Sequence, residues 1–356
     1  MGSKLKILLA NQTLSLLAGS ETWTYTLAFQ LKKLGHHVAC YSPSLGIIST
    51  KLWKEGIMSY SDLSAQGVKP FTVLLQEEID HKYDVIIANH NEIVSTLRDK
   101  FPTTPIISTI HGIIHKDDRG DMAPEHPALN SGVNQFVAVS EEVRDILKGQ
   151  YSIDSVIVRN FIDMKRFGAI PAPKAKPEQF LVNTNYSGRE DDVVVLIRET
   201  AKLMGAKVTA IGENFTTTFD IERAIKDSDV VFGMGRSVLE GVAAGRLGIV
   251  LGRWGYGGII TEGSVETIRK QNFSGRNAIA GEMLPTPEEL AKQIEQCYTP
   301  AILDWGKQYV AREHNVAFAA DEYLRLADEL TGRTINVPAV SGINPDAQPF
   351  KKSYAD

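Results

Sequence analysis

Between Asp229 and Gly252 the chain reads Asp229-Val-Val-Phe-Gly-Met-Gly-Arg-Ser-Val-Leu-Glu-Gly-Val-Ala-Ala-Gly-Arg-Leu-Gly-Ile-Val-Leu-Gly252. The apolar run Val230 to Phe232 has the continuity of a strand buried on both faces. Gly233 and Gly235 then interrupt it, and a helical stretch from Ser237 to Ala244 follows. Gly245 stops that helix, and Leu247 to Leu251 starts a new apolar run. Strand, loop, helix and strand in this order predict the parallel crossover unit of an α/β protein. Glycines in such a loop let backbone amides approach a ligand, and the helix N-terminus behind them offers free N–H groups to an anion. Glu240, one turn into the helix, is positioned to accept two hydrogen bonds from a vicinal diol such as a ribose.

The same alternation extends in both directions. Upstream, Phe180 to Thr184 predicts a strand, Asp192 to Met204 a helix, Lys207 to Ile211 a strand and Phe219 to Lys226 a short helix. Downstream, Thr286 to Cys297 is helical and Ala301 to Leu330 reads as further helices. Gly168 to Pro177 holds three prolines in ten residues with neither helical nor strand period, the composition of a linker. Before it, Lys6 to Ala10 is a strand, and Asn11 to Ser20 is a polar turn. A helix from Glu21 to Leu34 carries Tyr25, Ala28, Phe29 and Leu31 on one face, and His37 to Tyr41 resumes as a strand. Val85 to Ala88, Ile106 to Ile110 and Phe136 to Val139 repeat the buried parallel-strand pattern, whereas Leu45 to Pro70 reads as irregular. The expectation is two doubly wound α/β domains, 1–167 and 179–300, joined by 168–178, with closing helices at 301–330 and an irregular tail at 331–356. A ligand is expected in the cleft between them.

Composition narrows the field without naming a function. With 356 residues, 43% hydrophobic and 23% charged, the chain is neither disordered nor collagenous and has room for two domains. Two cysteines, Cys40 and Cys297, argue against a disulfide framework or a paired-cysteine metal site and suit a reducing, cytoplasmic setting. The apolar run at Ile7 to Leu9 is too short for a signal peptide or a membrane span. A formal net charge of -5 and no long basic run give no strong nucleic-acid signal. Lys51 and Lys54 beside Trp53 are too few to establish peripheral membrane attachment.

Several motifs, in order, converge on one family. Ala18-Gly19-Ser20-Glu21 with Leu34-Gly35-His36-His37-Val38 resembles the "GGxE … LxxxGHxV" opening of the retaining family-four glycosyltransferases. Ile110-His111-Gly112 resembles their strand-end histidine. Val137-Ala-Val-Ser140 with Val156-Ile-Val-Arg-Asn-Phe-Ile-Asp163 and Phe167 resembles "VAVS … VIPNGVDxxxF". Tyr186-Ser-Gly-Arg189 resembles the "GR" of the second domain, Leu239 to Gly245 its "LEAMAxG", and Arg312 to Leu330 the closing helices. The resemblance implies a GT-B fold, two Rossmann-like doubly wound domains facing a cleft with C-terminal helices crossing back. It also implies transfer of a sugar from a nucleotide-diphosphate sugar donor to a hydroxyl acceptor, with retention and without an essential metal or any cofactor beyond that co-substrate.

Carried over by position, the resemblance implies that Gly19 and Ser20 present backbone to the donor diphosphate, that Gly188 belongs to the donor site and that Arg189 neutralises the diphosphate. Glu240 would hold the ribose, His111 would lie on the sugar or acceptor side, and Gly233, Met234, Gly235, Arg236, Ser237 and Val238 would form the amide-bearing stretch. His111, Arg189 and Glu240 are the residues it implicates in catalysis. Three departures stand out. The lysine expected soon after "GR" is missing, since the next one is Lys202. Phe232 replaces the first of two paired glutamates, and Phe161 stands where glycine follows asparagine. Arg236 is the candidate replacement for the missing lysine. Asp227-Ser-Asp229 matches a metal-binding DxD as a string but precedes its strand, so helix-end and strand-start roles fit better. A nucleotide-sugar epimerase or phosphorylase on the same fold and a non-catalytic nucleotide-sugar binder remain as alternatives. An NAD-dependent oxidoreductase is disfavoured by the absence of GxGxxG.

Overall fold

The computed structural model describes residues 4–61, 82–89, 93–112, 132–184, 192–212, 215, 220–252, 254–276 and 284–333. A first sheet contains β1 (Lys6–Asn11), β2 (His37–Tyr41), β3 (Met58–Tyr60), β4 (Val85–Asn89), β5 (Ile106–Ile110), β6 (Gln135–Ala138) and β7 (Ser155–Ile157). These strands are all parallel and lie in the order β3-β2-β1-β4-β5-β6-β7. Helices α1 (Gly19–Lys33), α2 (Ile47–Lys54), α3 (Val94–Lys100) and α4 (Glu141–Tyr151) lie between its strands in sequence, and α5 (Met164–Phe167) follows the last. Every residue of β4 and β5 is buried, because helices cover both faces of a doubly wound sheet.

The second sheet contains β8 (Gln179–Asn183), β9 (Lys207–Ile211), β10 (Val230–Gly233), β11 (Leu247–Gly252) and β12 (Gly255–Ile259), in the order β12-β11-β10-β8-β9. Only β12 runs antiparallel to its neighbour. Its helices are α6 (Asp192–Met204), α7 (Ile221–Lys226), α8 (Arg236–Ala243), α9 (Val265–Lys270) and α10 (Pro287–Cys297), followed by α11 (Pro300–Glu313) and α12 (Val316–Thr331). Strand order reverses between β1 and β4 in one sheet and between β8 and β10 in the other. Loops diverge at these points and leave a crevice at the carboxyl ends of the strands.

Two segments differ from the sequence expectation. The stretch from Leu45 onward contains α2 and β3, while residues 62–81 lie outside the described residues. Only Ile48 and Leu52 of α2 are buried, and β3 has three residues, so neither produces a readable period. Gly255 to Ile259, not among the strands read from the sequence, is an edge strand held by backbone pairing such as Ile249 with Ile259.

The chain passes from the first sheet to the second after β7 and returns before α12. At that double crossing Ile162 pairs with Asn315: the Ile162 N–H donates to the His314 carbonyl at 2.6 Å and the Val316 N–H to the Ile162 carbonyl at 3.0 Å. Returning, α12 packs against α1 and puts Ala320, Tyr323, Leu324 and Ala327 into the core that contains Ile7, Trp23 and Leu27. The Tyr323 and Thr109 hydroxyls share a hydrogen bond of 2.7 Å, while α11 packs against α8 of the second sheet. The proline-rich stretch lies against the second sheet. Asp229 accepts the N–H groups of Lys174, Glu178 and Gln179, and buried Arg246 donates to the carbonyls of Pro171, Ile225, Lys226, Ser228 and Ala244. Asp227 is the C-cap of α7, so the DxD string has structural roles on both its acids.

His314 is the polar centre of the crossing. Its Nδ1–H donates to the Asn160 carbonyl at 2.6 Å, which leaves Nε2 to accept from the Tyr309 hydroxyl at 3.4 Å. Burial pushes its pKa down from 6.5 to about 4, with Arg159 and Arg269 acting in the same direction and Glu141 against it. The unfolded chain therefore binds more protons than the folded one between about pH 4 and 6.5. Stability should be level above that window and fall as pH drops through it. His314→Gln should flatten this part of the profile, and urea midpoints measured from pH 7.5 to 4.5 check it.

Candidate active site

Two helix N-termini meet in the cleft. Helix α1 starts at Gly19, just beyond β1, and Asn89 at the end of β4 fixes that start by donating to the Ser20 carbonyl at 2.9 Å. Helix α8 starts at Arg236, directly after β10. Side-chain caps occupy the starts of α4 (Ser140), α7 (Asp220), α10 (Thr286), α11 (Thr299) and α12 (Asn315). Neither Ala18 before α1 nor Gly235 before α8 supplies one. Apart from the Ser237 N–H, which donates to the Met234 carbonyl at 3.2 Å, first-turn amides of the two helices are thus left to the cleft, where the dipoles favour negative charge. The α8 start demands glycine twice. A Cβ at Gly233 would lie 2.8 Å from the Asn183 carbonyl oxygen, and Gly235 adopts φ +55.

The cleft has two lobes. One encloses about 310 Å³ beside Ser20, His111, Asn160, Met234 and Trp254. The other encloses about 120 Å³ beside Tyr25, Lys51, Arg166, Ile211 and Glu240. Ala18, Gly19, Asn183, Arg236 and Ser237 line both and form the neck between them. The neck thus coincides with the two uncapped helix starts.

Charge in the smaller lobe is crowded. Burial and the neighbouring Arg166 guanidinium hold Lys51 below the usual lysine range. Burial lowers Arg236 as well, with Arg166 adding to the effect and Glu240 opposing it. Burial likewise pushes the Glu240 carboxyl above the ordinary range, against the pull of Arg236 and Arg166. The Arg236 Nη2 to Glu240 Oε1 distance is 3.7 Å with both side chains nearly enclosed. That is too long for a hydrogen bond, so the Glu240 oxygens can still take donors from a ligand. Arg166 pairs with Glu222. An anion entering here relieves repulsion among three cations.

Arg236 also ties the two halves together. Its Nη1 donates to the Phe161 carbonyl, Nη2 reaches the Thr26 hydroxyl at 3.5 Å, and its guanidinium lies 5.7 Å from the Phe161 ring centroid. Its Nε–H has no acceptor among the described residues, so one donor remains for a bound group. Phe161, unexpected at a glycine position, is buried against Trp23 at 5.1 Å between centroids. Trp23 in turn meets His111 edge-on at 5.3 Å and Tyr323 at 5.7 Å. His111 is therefore oriented by an aromatic cluster that includes the returning helix.

Of the residues singled out in sequence, Gly19, Ser20, His111, Met234, Gly235, Arg236, Ser237 and Glu240 line the cleft. Gly233 ends β10 behind it. Val238 points into the second core, so only its amide in the first turn of α8 is relevant, and Arg236 to Val238 are helix rather than loop. Phe232 is buried against Phe180 and offers the cleft nothing in place of the missing glutamate. Gly188 and Arg189 lie outside the described residues. Sequence reasoning missed Lys51, Asn160, Arg166, Asn183 and Arg276 as lining residues. Arg166 adjoins the Phe167 motif position, the sole local signal for it. Among the described residues no group of three or more His, Cys, Asp or Glu is gathered to hold a metal ion, and no helix is long and apolar enough to cross a membrane.

Residues 17–166 match the model of Glycosyltransferase Family 4. No curated protein sequence matches. A glycosyltransferase from Rickettsia africae shares the fold at 18% identity and a TM-score of 0.64, covering 93% of this chain and 100% of its own. Anabaena HepE, in complex with UDP and glucose, does so at 14% identity and 0.61, covering 90% and 99%. Sucrose-phosphate synthase from Thermosynechococcus elongatus does so at 12% and 0.59, covering 92% and 99%. The scaffold is GT-B, and the domain match supports an enzyme of glycosyl transfer.

The Arg236 geometry gives a direct test. Arg236→Ala leaves Glu240 buried beside a lost partner and frees the Phe161 carbonyl, an expected loss of about 3–5 kcal/mol. Combining Arg236→Met with Glu240→Leu should cost clearly less than Arg236→Ala alone. Urea denaturation of the three proteins measures both, and equal losses would show that the buried pair is not the cause.

Proposed function

We propose that the chain transfers a sugar from a nucleoside-diphosphate sugar to a hydroxyl group of an acceptor, with retention at the anomeric carbon and without a resident metal. The observation carrying this is the neck: the amide ends of α1 and α8 converge with Arg236 at the junction of two lobes. A diphosphate fits there by charge, with its nucleoside in the lobe holding Glu240 and its sugar in the lobe holding His111. The complexes of Anabaena HepE with UDP and with UDP-glucose make a uridine donor the first to try.

In the proposed step the bond between the anomeric carbon and the phosphate oxygen breaks as the acceptor oxygen bonds to that carbon on the same face. The acceptor proton passes to the leaving diphosphate oxygen, so no protein base is assigned. Negative charge grows on the diphosphate, and the helix amides and Arg236 are already oriented toward it, which lowers the barrier without reorganisation. His111, fixed by Trp23, borders the lobe in which the sugar reacts. Glu240 serves as an acceptor for both ribose hydroxyls and is effective only when ionised.

Thermal shift with UDP, ADP and GDP and their glucose conjugates tests the proposal. At least one diphosphate at a hundredfold excess over Kd should stabilise the chain by about 2.7 kcal/mol. Glu240→Ala should remove most of that gain, and stabilisation by none of the six would end the proposal. Because burial pushes the Glu240 carboxyl above the ordinary range, affinity should weaken on acidification at a higher pH than an exposed carboxylate would produce. Calorimetric titrations across pH check the direction, and Glu240→Gln should abolish the dependence.

A further inference from the structure

The donor assignment leaves one wall of the larger lobe without a role. It is formed by Asn160, Trp254, Asn272, Ser274 and Arg276. We propose that this wall is the acceptor subsite and that it takes the pyranose ring of a neutral glycan. The proposal rests on the glycosyl-transfer reading and adds the substrate class to it.

Trp254 is 44% exposed. Among the described residues six large apolar side chains are this exposed or close to it, and Trp254 is the one that lines a lobe of the cleft. A pyranose has a C–H face that removes an indole from water and a rim of hydroxyls that need polar partners, so its recognition calls for an aromatic surface beside amides. The wall supplies both. Asn160 is only 5% exposed, and its Nδ2 donates to the Asn272 Oδ1 at 2.8 Å. Its Oδ1 is buried without a hydrogen-bond donor among the described residues, an arrangement that a ligand hydroxyl would complete. The Asn160 backbone is meanwhile held by His314, so the amide is presented from a rigid position.

Charge selects a neutral ring. Arg276 lies 6.0 Å from the Trp254 ring centroid, but its Nε and Nη2 already bind both oxygens of Glu142 at 3.1 and 2.6 Å. The guanidinium is neutralised by that fork and braces the indole rather than waiting for a carboxylate. A nucleobase would also stack on Trp254, but Glu240 and the neck direct the nucleoside to the opposite lobe.

Saturation-transfer NMR on the full chain saturated with UDP tests this, with maltose, cellobiose, lactose and glucuronic acid as separate probes. At least one of the neutral disaccharides should give a signal that falls at least fivefold in Trp254→Ala and survives largely in Trp254→Phe, while glucuronic acid stays weak. Asn160→Ala, which removes the waiting acceptor, should lower the same signal as well. The UDP thermal shift should be the same in wild type and Trp254→Ala. A UDP-stabilised chain with no Trp254-dependent saccharide signal overturns the proposal. So does a Trp254→Ala variant that loses UDP-glucose binding as fully as saccharide binding, which would assign the wall to the donor sugar. A chain that UDP does not stabilise removes the underlying reading, and this proposal with it.

Discussion

Everything that meets in the cleft depends on a short strip of paired backbone. The chain leaves its first sheet and later returns to it along nearly the same line, and Ile162 and Asn315 lie side by side there. Two hydrogen bonds and the buried His314 imidazole tie the strips together. Without that pairing α12 could not reach α1, Tyr323 could not support Trp23, and the ring cluster that orients His111 would lose one side. The polar partners at the crossing are buried, so each bond lost there exposes another group to an unmet need.

The site follows from the opposite condition, helix ends left deliberately incomplete. Ser140, Asp220, Thr286, Thr299 and Asn315 close the first turns of α4, α7, α10, α11 and α12, whereas α1 and α8 start on Ala18 and Gly235. Strand order places both starts at reversal points, so the two sets of free amides face one space from two sheets. Nearby cations crowd one another and Glu240 is enclosed beside them. Such a site is poorly satisfied when empty, which is the state from which binding of a polar anion gains most.

The fold was largely legible because parallel strands covered on both faces read as unbroken apolar runs, as in Val85 to Asn89 and Ile106 to Ile110. Short elements escaped: β3 has three residues, and the glycines of β12 disguise a strand held by pairing rather than propensity. In the site, Gly19, Arg236 and Glu240 were legible because each has a fixed place at a strand-to-helix turn. Arg276 was not, since its meaning comes from Glu142, 134 residues away, and no local pattern marks such a pair. Phe161 reads in sequence only as a missing glycine, while in three dimensions it fills space under Trp23 and receives Arg236.

The proline-rich stretch invites the thought of a loose tether. Asp229 and Arg246 instead fasten it to the second sheet through the Lys174 and Glu178 N–H groups and the Pro171 carbonyl, and the Tyr298 hydroxyl adds the Lys174 carbonyl. It travels with that sheet as a passenger. The span that joins the two sheets is therefore shortened to the paired strips at Ile162 and Asn315, far less chain than the prolines suggest.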